Sequence, residues 1–264
     1  MDEIRTGWPL RILTGLLLVF LLVPVIVVIP LSFSGETTLR FPPHSWSLRW
    51  YGEFFSNARM LDSLRSSIVL GALVTAITLA LALPAAYAIV RLRNRGSALF
   101  YNLLTAPLLL PTIVLGLAIL IVFAAAGILG TFTGVALGHL VLTLPYALRV
   151  LVTALGDLVI TAEEAAATLG AGPLTVFRRV TLPLVRPGLI SAGALSFLVS
   201  FDEVVVTLFL AGPRFTTLPV EMFRRLDSRS DPLIAAVSVI TIAVTMAVVV
   251  IVHRTVGLSR GFLK

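Results

Sequence analysis

Cysteine is absent from the 264 residues, which excludes disulfides, thiolate metal sites, iron–sulfur clusters and cysteine nucleophiles. Lysine occurs once, at Lys264. An ATP-binding phosphate loop needs a lysine inside G-x-x-x-x-G-K-[ST], and Lys264 lies outside any such pattern. Histidine occurs three times, at His44, His139 and His253, with no metal-ligand spacing. No serine–histidine–acid or paired-carboxylate arrangement can be argued, so the sequence reads as non-catalytic, with no metal and no cofactor of its own. Charge is also scarce. Only 12% of residues are charged where a soluble domain has about a quarter. With 58% hydrophobic residues and a mean hydropathy of +1.04, a water-soluble globule is excluded. The net charge of +7 does not point to nucleic acid, because basic residues in so apolar a chain flank membrane spans.

What the chain has is long uncharged runs. A helix needs roughly 20 apolar residues to cross about 30 Å of hydrocarbon. The run Ile12–Leu31 is too long for a signal-peptide core and reads as an uncleaved anchor. Gly96–Leu148 carries no formal charge over 53 residues and reads as two spans broken by the glycine-rich 126–134 segment. The expected fold is all-α, a single transmembrane domain over 1–264. Its six spans are placed near 12–31, 66–90, 99–123, 134–152, 187–210 and 232–252, with a loop at 153–186. Trp8, Trp46, Trp50 and Tyr51 are expected in an interfacial aromatic belt. Pro84, Pro107, Pro111 and Pro145 lie in spans, where kinks are expected. Twelve basic residues fall on the side of both termini and eight on the other, which places both termini in the cytoplasm. The tight loop Arg91–Arg95 is the sharper sign.

The 153–186 loop has punctuation of its own. Thr161 and Glu164 have capping-box spacing, so a helix is expected over Thr161–Leu169 with both Glu163 and Glu164 in its first turn. Gly170 is placed for a left-handed stop and Pro173 for the start of a second helix, expected to end at Pro183.

Glu164-Ala165-Ala166, three residues, Gly170, nine residues, Val180, one residue and Leu182-Pro183 resemble the E-A-A-x3-G-x9-I-x-L-P motif of ABC-importer permeases. Val180 for isoleucine is the departure. Ser47-Leu48-Arg49-Trp50-Tyr51, Pro145-Tyr146, Ser200–Thr207, Gly212-Pro213 and Leu218-Pro219 are similar to the branch that carries polyamines, iron and thiamine. Within it, the second permease of spermidine/putrescine importers is the nearest resemblance, although Ser66-Ser67 stands where an asparagine–serine pair is usual. The resemblance implies the fold of a type I importer permease in the bacterial inner (cytoplasmic) membrane, in contact with lipid. It implies a coupling helix, with Glu163, Glu164, Ala165, Ala166, Gly170, Leu182 and Pro183 as residues that couple to a separate ATPase. The implied partners are an ABC ATPase dimer, which would hold ATP and magnesium, a second permease and an extracytoplasmic substrate-binding protein.

Asp202 and Glu203 are the acids inside an expected span. Helical rise from Pro187 places Asp202 about 22 Å along it, with Glu203 turned about 100° away. Together with His139 and Tyr146 they are the substrate-pathway candidates. For Asp202 and His139 a structural pairing stands as the alternative. A polyamine is the expected cargo, with ferric iron, thiamine or an organophosphonate as alternatives. A secondary transporter is the rival mechanism, and it leaves the loop motif without a role.

Overall fold

A computed structural model describes residues 7–92, 94–213, 215–229 and 231–256. Arg93, within the Arg91–Arg95 loop used for orientation, and Arg214, which the sequence reading offers as one structural partner for Asp202, lie outside the described residues. Of the described residues, 82% are helical. Contacts divide it into two compact units, one made of 1–61 and 224–244, the other of 62–223 and 245–264.

The first unit contains α1 (Trp8–Ser32), which opens with Pro9 in its first turn, where the missing N–H costs nothing. Side chains along α1 are exposed until its end, as expected of a helix whose surroundings are lipid. Ser32 closes it, sharing a hydrogen bond of 2.8 Å with Tyr51 on α2 (Arg49–Ser56). Trp50 is only 4% exposed and belongs to the core, not to an aromatic belt, because the amphipathic α2 turns that face inward. Tyr51 is tied to Ser32, whereas Trp8 and Trp46 are exposed. Arg225 bridges Glu53 and Asp231 at 3.1 and 2.7 Å.

The second unit is built on α3 (Ala58–Leu92), α6 (Phe132–Ala154) and α9 (Leu182–Phe201). Among the described residues of both units, five helices are long and apolar enough to cross a membrane, and six if a bent pair counts as one span. The bent pair is the expected third span. It consists of α4 (Arg95–Thr105), a short 3-10 turn Ala106–Leu109, and α5 (Thr112–Ala125), with a turn of 106° between its halves. Pro111 explains the bend: it lacks an N–H and forces Leu110 into an extended conformation, φ −95° and ψ 138°. Pro84 and Pro145 sit inside their helices. The break after α5 falls in the glycine-rich segment, where Gly127 and Gly130 take positive φ.

Two apolar clusters hold this unit. One joins Ala82 and Ala86 of α3, Leu148 and Leu151 of α6, and Val185 and Ala192 of α9. The other joins Leu70 and Val74 of α3 to Leu115, Val135, Val206 and Leu210. Small residues let the backbones approach, as in membrane helix pairs generally. A Cβ on Gly188 would meet Ala154, and one on Gly138 would meet Leu210.

The expected fifth span, 187–210, is different in the structure. The helix starts earlier, at α8 (Pro173–Val176), and passes through a π turn, Phe177–Thr181, into α9. Pro183 does not end the helix. Leu182 N–H reaches back five residues to the Phe177 carbonyl, and this widened turn carries the chain past the proline. At the other end α9 stops at Phe201, and a separate α10 (Val205–Leu210) follows. Two further helices, α11 (Leu218–Ser228) and α12 (Leu233–Val256), complete the described chain.

Candidate functional site

The 153–186 loop forms α7 (Asp157–Thr168), a left-handed turn and the start of α8. Its N-terminus is four residues earlier than the capping-box reading. Gly156 is the N-cap, Thr161 is mid-helix, and neither Glu163 nor Glu164 is in the first turn. The physical reason is Val159, which is 5% exposed and joins the α3–α6–α9 cluster, so burial draws the earlier residues into the helix. The C-terminus follows the sequence expectation. Gly170 has φ +84°, and its N–H bonds the Ala167 carbonyl while Ala171 N–H bonds Ala166. That pair of bonds satisfies two end carbonyls and needs a residue that tolerates the left-handed region.

The two adjacent acids of the loop point in different directions. Glu164 is exposed, and Ala165 beside it is exposed as well. Glu163 is buried: its Oε2 accepts from Arg91 Nε at 2.7 Å and its Oε1 from the Thr181 hydroxyl. Burial by itself raises the Glu163 carboxyl. The hydrogen bonds from Arg91 and Thr181 and the Arg91 charge outweigh it and hold the group below its ordinary value of 4.5. Arg91 also donates to the Leu155 carbonyl at 3.3 Å and lies over the Tyr87 ring at 4.9 Å. Tyr87 in turn meets Phe177 edge-on. Of the other motif residues, Ala166 is half-buried, Leu182 packs partly into the core, and Pro183 is exposed. Around the Gly170 turn, Leu169 is 89% exposed and Leu174 69%.

The pathway candidates separate in the same way. Asp202 is exposed at the C-cap of α9. Glu203 accepts the Val206 N–H at 2.8 Å and so caps the start of α10. The two acids therefore flank a helix break and are not successive positions on one continuous span, so the 100° relation between them does not hold. His139 is fully buried. Its Nδ1 shares a hydrogen bond with Ser200 and its Nε2 one with Thr207, each at 2.8 Å. It fastens α6 to both sides of the break. Tyr146 is partly exposed, at 37%.

Sequence reasoning missed Arg91, Thr181, Ser200 and Thr207. It had used Arg91 for orientation alone. Ser67 entered the sequence reading only as the second member of the Ser66-Ser67 pair, whereas its hydroxyl accepts the Leu218 N–H at 2.8 Å and satisfies the start of α11.

An apolar helical bundle with several helices long enough to cross a membrane, and a short helix joining two of them, is the architecture of a polytopic membrane protein. Residues 76–258 match the family described as "Binding-protein-dependent transport system inner membrane component", and the chain belongs to that family. It is 33% identical over 245 residues to the putrescine transport system permease protein PotI of Escherichia coli K12, covering 90% of this chain and 86% of that one. It is 29% identical to the spermidine/putrescine transport system permease protein PotC of Haemophilus influenzae, covering 88% and 90%. The sulfoquinovosyl glycerol transport system permease protein SmoH of Agrobacterium fabrum is 31% identical, covering 100% and 96%. The fold is that of a solved bacterial ABC transporter involved in import of the acidic polysaccharide alginate. That likeness has a TM-score of 0.70 at 18% identity and covers 96% of this chain and 99% of the other. The chain is thus a permease subunit of an ABC importer, of a family that works with an ATPase and a substrate-binding protein.

Proposed function

We propose that this subunit supplies half of the translocation pathway of a polyamine importer and that α7 with its Gly170 turn is the surface on which the ATPase docks. The observation that carries the docking reading is the division of the two acids. Glu163 is consumed inside the subunit, while Glu164, Ala165, Leu169 and Leu174 face outward. Exposed leucines on either side of a rigid turn mark a contact surface. Alanine keeps α7 narrow enough to lie in a cleft of a partner.

ATP and magnesium are held by the ATPase dimer, and its closure moves α7. A second permease, different from this one, completes the pathway, and an extracytoplasmic binding protein delivers the solute. Both termini lie in the cytoplasm. Arg91 stands at the α7 end of α3, and the positive-inside rule favours that end in the cytoplasm. Asp202, exposed at the helix break, is the carboxylate that meets the cation.

The polyamine reading rests on the relatives named for putrescine and spermidine/putrescine. The relative named for sulfoquinovosyl glycerol sets the comparison to be made. In proteoliposomes holding the two permeases and the ATPase, with the binding protein outside, labelled putrescine or spermidine accumulates only with ATP. Accumulation of sulfoquinovosyl glycerol alone would reassign the cargo. Accumulation with a hydrolysis-dead ATPase would make the chain a secondary transporter. Ala165→Trp on the exposed face of α7 removes the ATPase from the purified complex. Retention of the ATPase with normal uptake in that variant would move the docking surface elsewhere.

A further inference from the structure

The carboxylate of Glu163 on α7 reaches two other helices. Oε2 takes the Arg91 Nε–H at the end of α3, and Oε1 takes the Thr181 hydroxyl in the π turn that leads into α9. Its residue exposure is 8%, and Thr181 has none. Arg91 is held on two further sides, by the Leu155 carbonyl and by the Tyr87 ring, which itself packs edge-on against Phe177. Its Nη2 is buried with no acceptor in this conformation. A buried donor without a partner has a cost, so this arrangement of the guanidinium is not its best-satisfied one.

These helices are long. At 1.5 Å per residue, the 35 residues of α3 extend about 52 Å. α3 also touches α6 and α9 farther along: Thr78 bonds Thr143 of α6 at 2.7 Å, and Gly71 lies against Phe197 of α9. A hydrogen-bonded charge pair is directional and stiff, unlike the apolar contacts around it. A displacement of α7 is therefore passed to α3 and α9 together, not to α9 alone through the covalent chain.

We propose that Glu163 is the positioning residue that straps the docking helix to both α3 and α9, so that motion imposed on α7 moves the two long helices as one. This rests on α7 being the docking surface. The division of labour follows: Glu164 belongs to the partner-facing side, and Glu163 to transmission inside the permease.

The test uses the full importer with both permeases, the ATPase and the loaded binding protein. Breaking one charge of a buried pair alone risks unfolding, because the other charge is stranded. The double variant Arg91→Gln with Glu163→Gln leaves no stranded charge and keeps a polar side chain at both positions. Thr181→Val removes the α9 arm with an isosteric side chain. Both variants are expected to keep the ATPase in the purified complex and to keep hydrolysis responsive to the binding protein. The solute imported per ATP hydrolysed should fall on the order of tenfold in the double variant, within the 5–150-fold usual for coupling between sites. Arg91→Lys, which keeps the charge, should recover part of the ratio. An unchanged ratio in both variants would overturn the strap. Loss of the ATPase from both would also overturn it, making Glu163 a static prop for the docking face. Ala165→Trp, measured alongside, separates the two readings. If it transports normally, the docking surface is wrong. If it is uncoupled while the strap variants keep a normal ratio, only the strap is wrong.

Discussion

His139 gives the sharpest test of what the helix break requires. It is fully buried and bonded at both ring nitrogens, to Ser200 at the end of α9 and to Thr207 in α10. His139→Leu preserves approximate volume, so no large cavity opens, and the effect should come from the lost hydrogen bonds. Interhelical hydrogen bonds in membrane proteins average about 0.6 kcal/mol and reach about 1.7. Two of them give ~1–3 kcal/mol. Thr207 retains a bond to the Glu203 carbonyl at 3.0 Å, so its hydroxyl is not orphaned. Ser200 is 3% exposed and loses the partner it has here, which places the total toward the upper part of that range. The assay is a denaturant or thermal unfolding series on the purified complex, with Thr207→Val and the double variant completing a mutant cycle. The expected result is a destabilised complex, a positive His139–Thr207 coupling energy, and transport that falls only as far as the folded fraction falls. Unchanged stability combined with lost transport would refute the reasoning, because it would mean that the ring acts on the substrate and not on the fold.

Gly170→Val places a β-branched residue at φ +84° and should uncouple or release the ATPase while the chain still inserts, read by co-purification and binding-protein-stimulated hydrolysis. Asp202→Asn should lower labelled polyamine uptake with no change in unfolding midpoint, since the carboxylate is an exposed helix end. Glu203→Gln should matter less, because an amide oxygen still accepts the Val206 N–H. The Glu163 carboxyl is held below its ordinary value of 4.5, so its share of stability is fully present above that value and is lost as pH falls through the lowered one. The unfolding difference between wild type and Glu163→Gln should therefore be flat above pH 4.5 and shrink below it, whereas a change centred near neutrality would contradict the Arg91 pairing.

Local chemistry was legible in the sequence where a backbone requirement names its residue. Gly170 is such a position, since a left-handed stop selects glycine, and the spacing from Glu164 to Pro183 marks the family without any knowledge of contacts. The long apolar runs were legible because hydrocarbon thickness sets their length. Boundaries decided by burial were not. Thr161 and Glu164 have capping-box spacing, yet Val159 packs into the core and carries the helix start back to Asp157. Pro183 looks like a stop, and only the wider turn from Phe177 shows why the helix passes it. The Asp202–Glu203 pair looks like two charges inside a span. Its meaning changes once the helix is seen to break there, with His139 bonded across the break to Ser200 and Thr207, 61 and 68 residues away. Likewise Arg91 and Glu163 are 72 residues apart, and nothing in either neighbourhood specifies the pairing. A buried carboxylate needs a partner, and the charged partner of Glu163 stands 72 residues away on another helix. Burial therefore separates Glu163 from Glu164: one acid joins the long helices within the subunit, and its neighbour stays exposed.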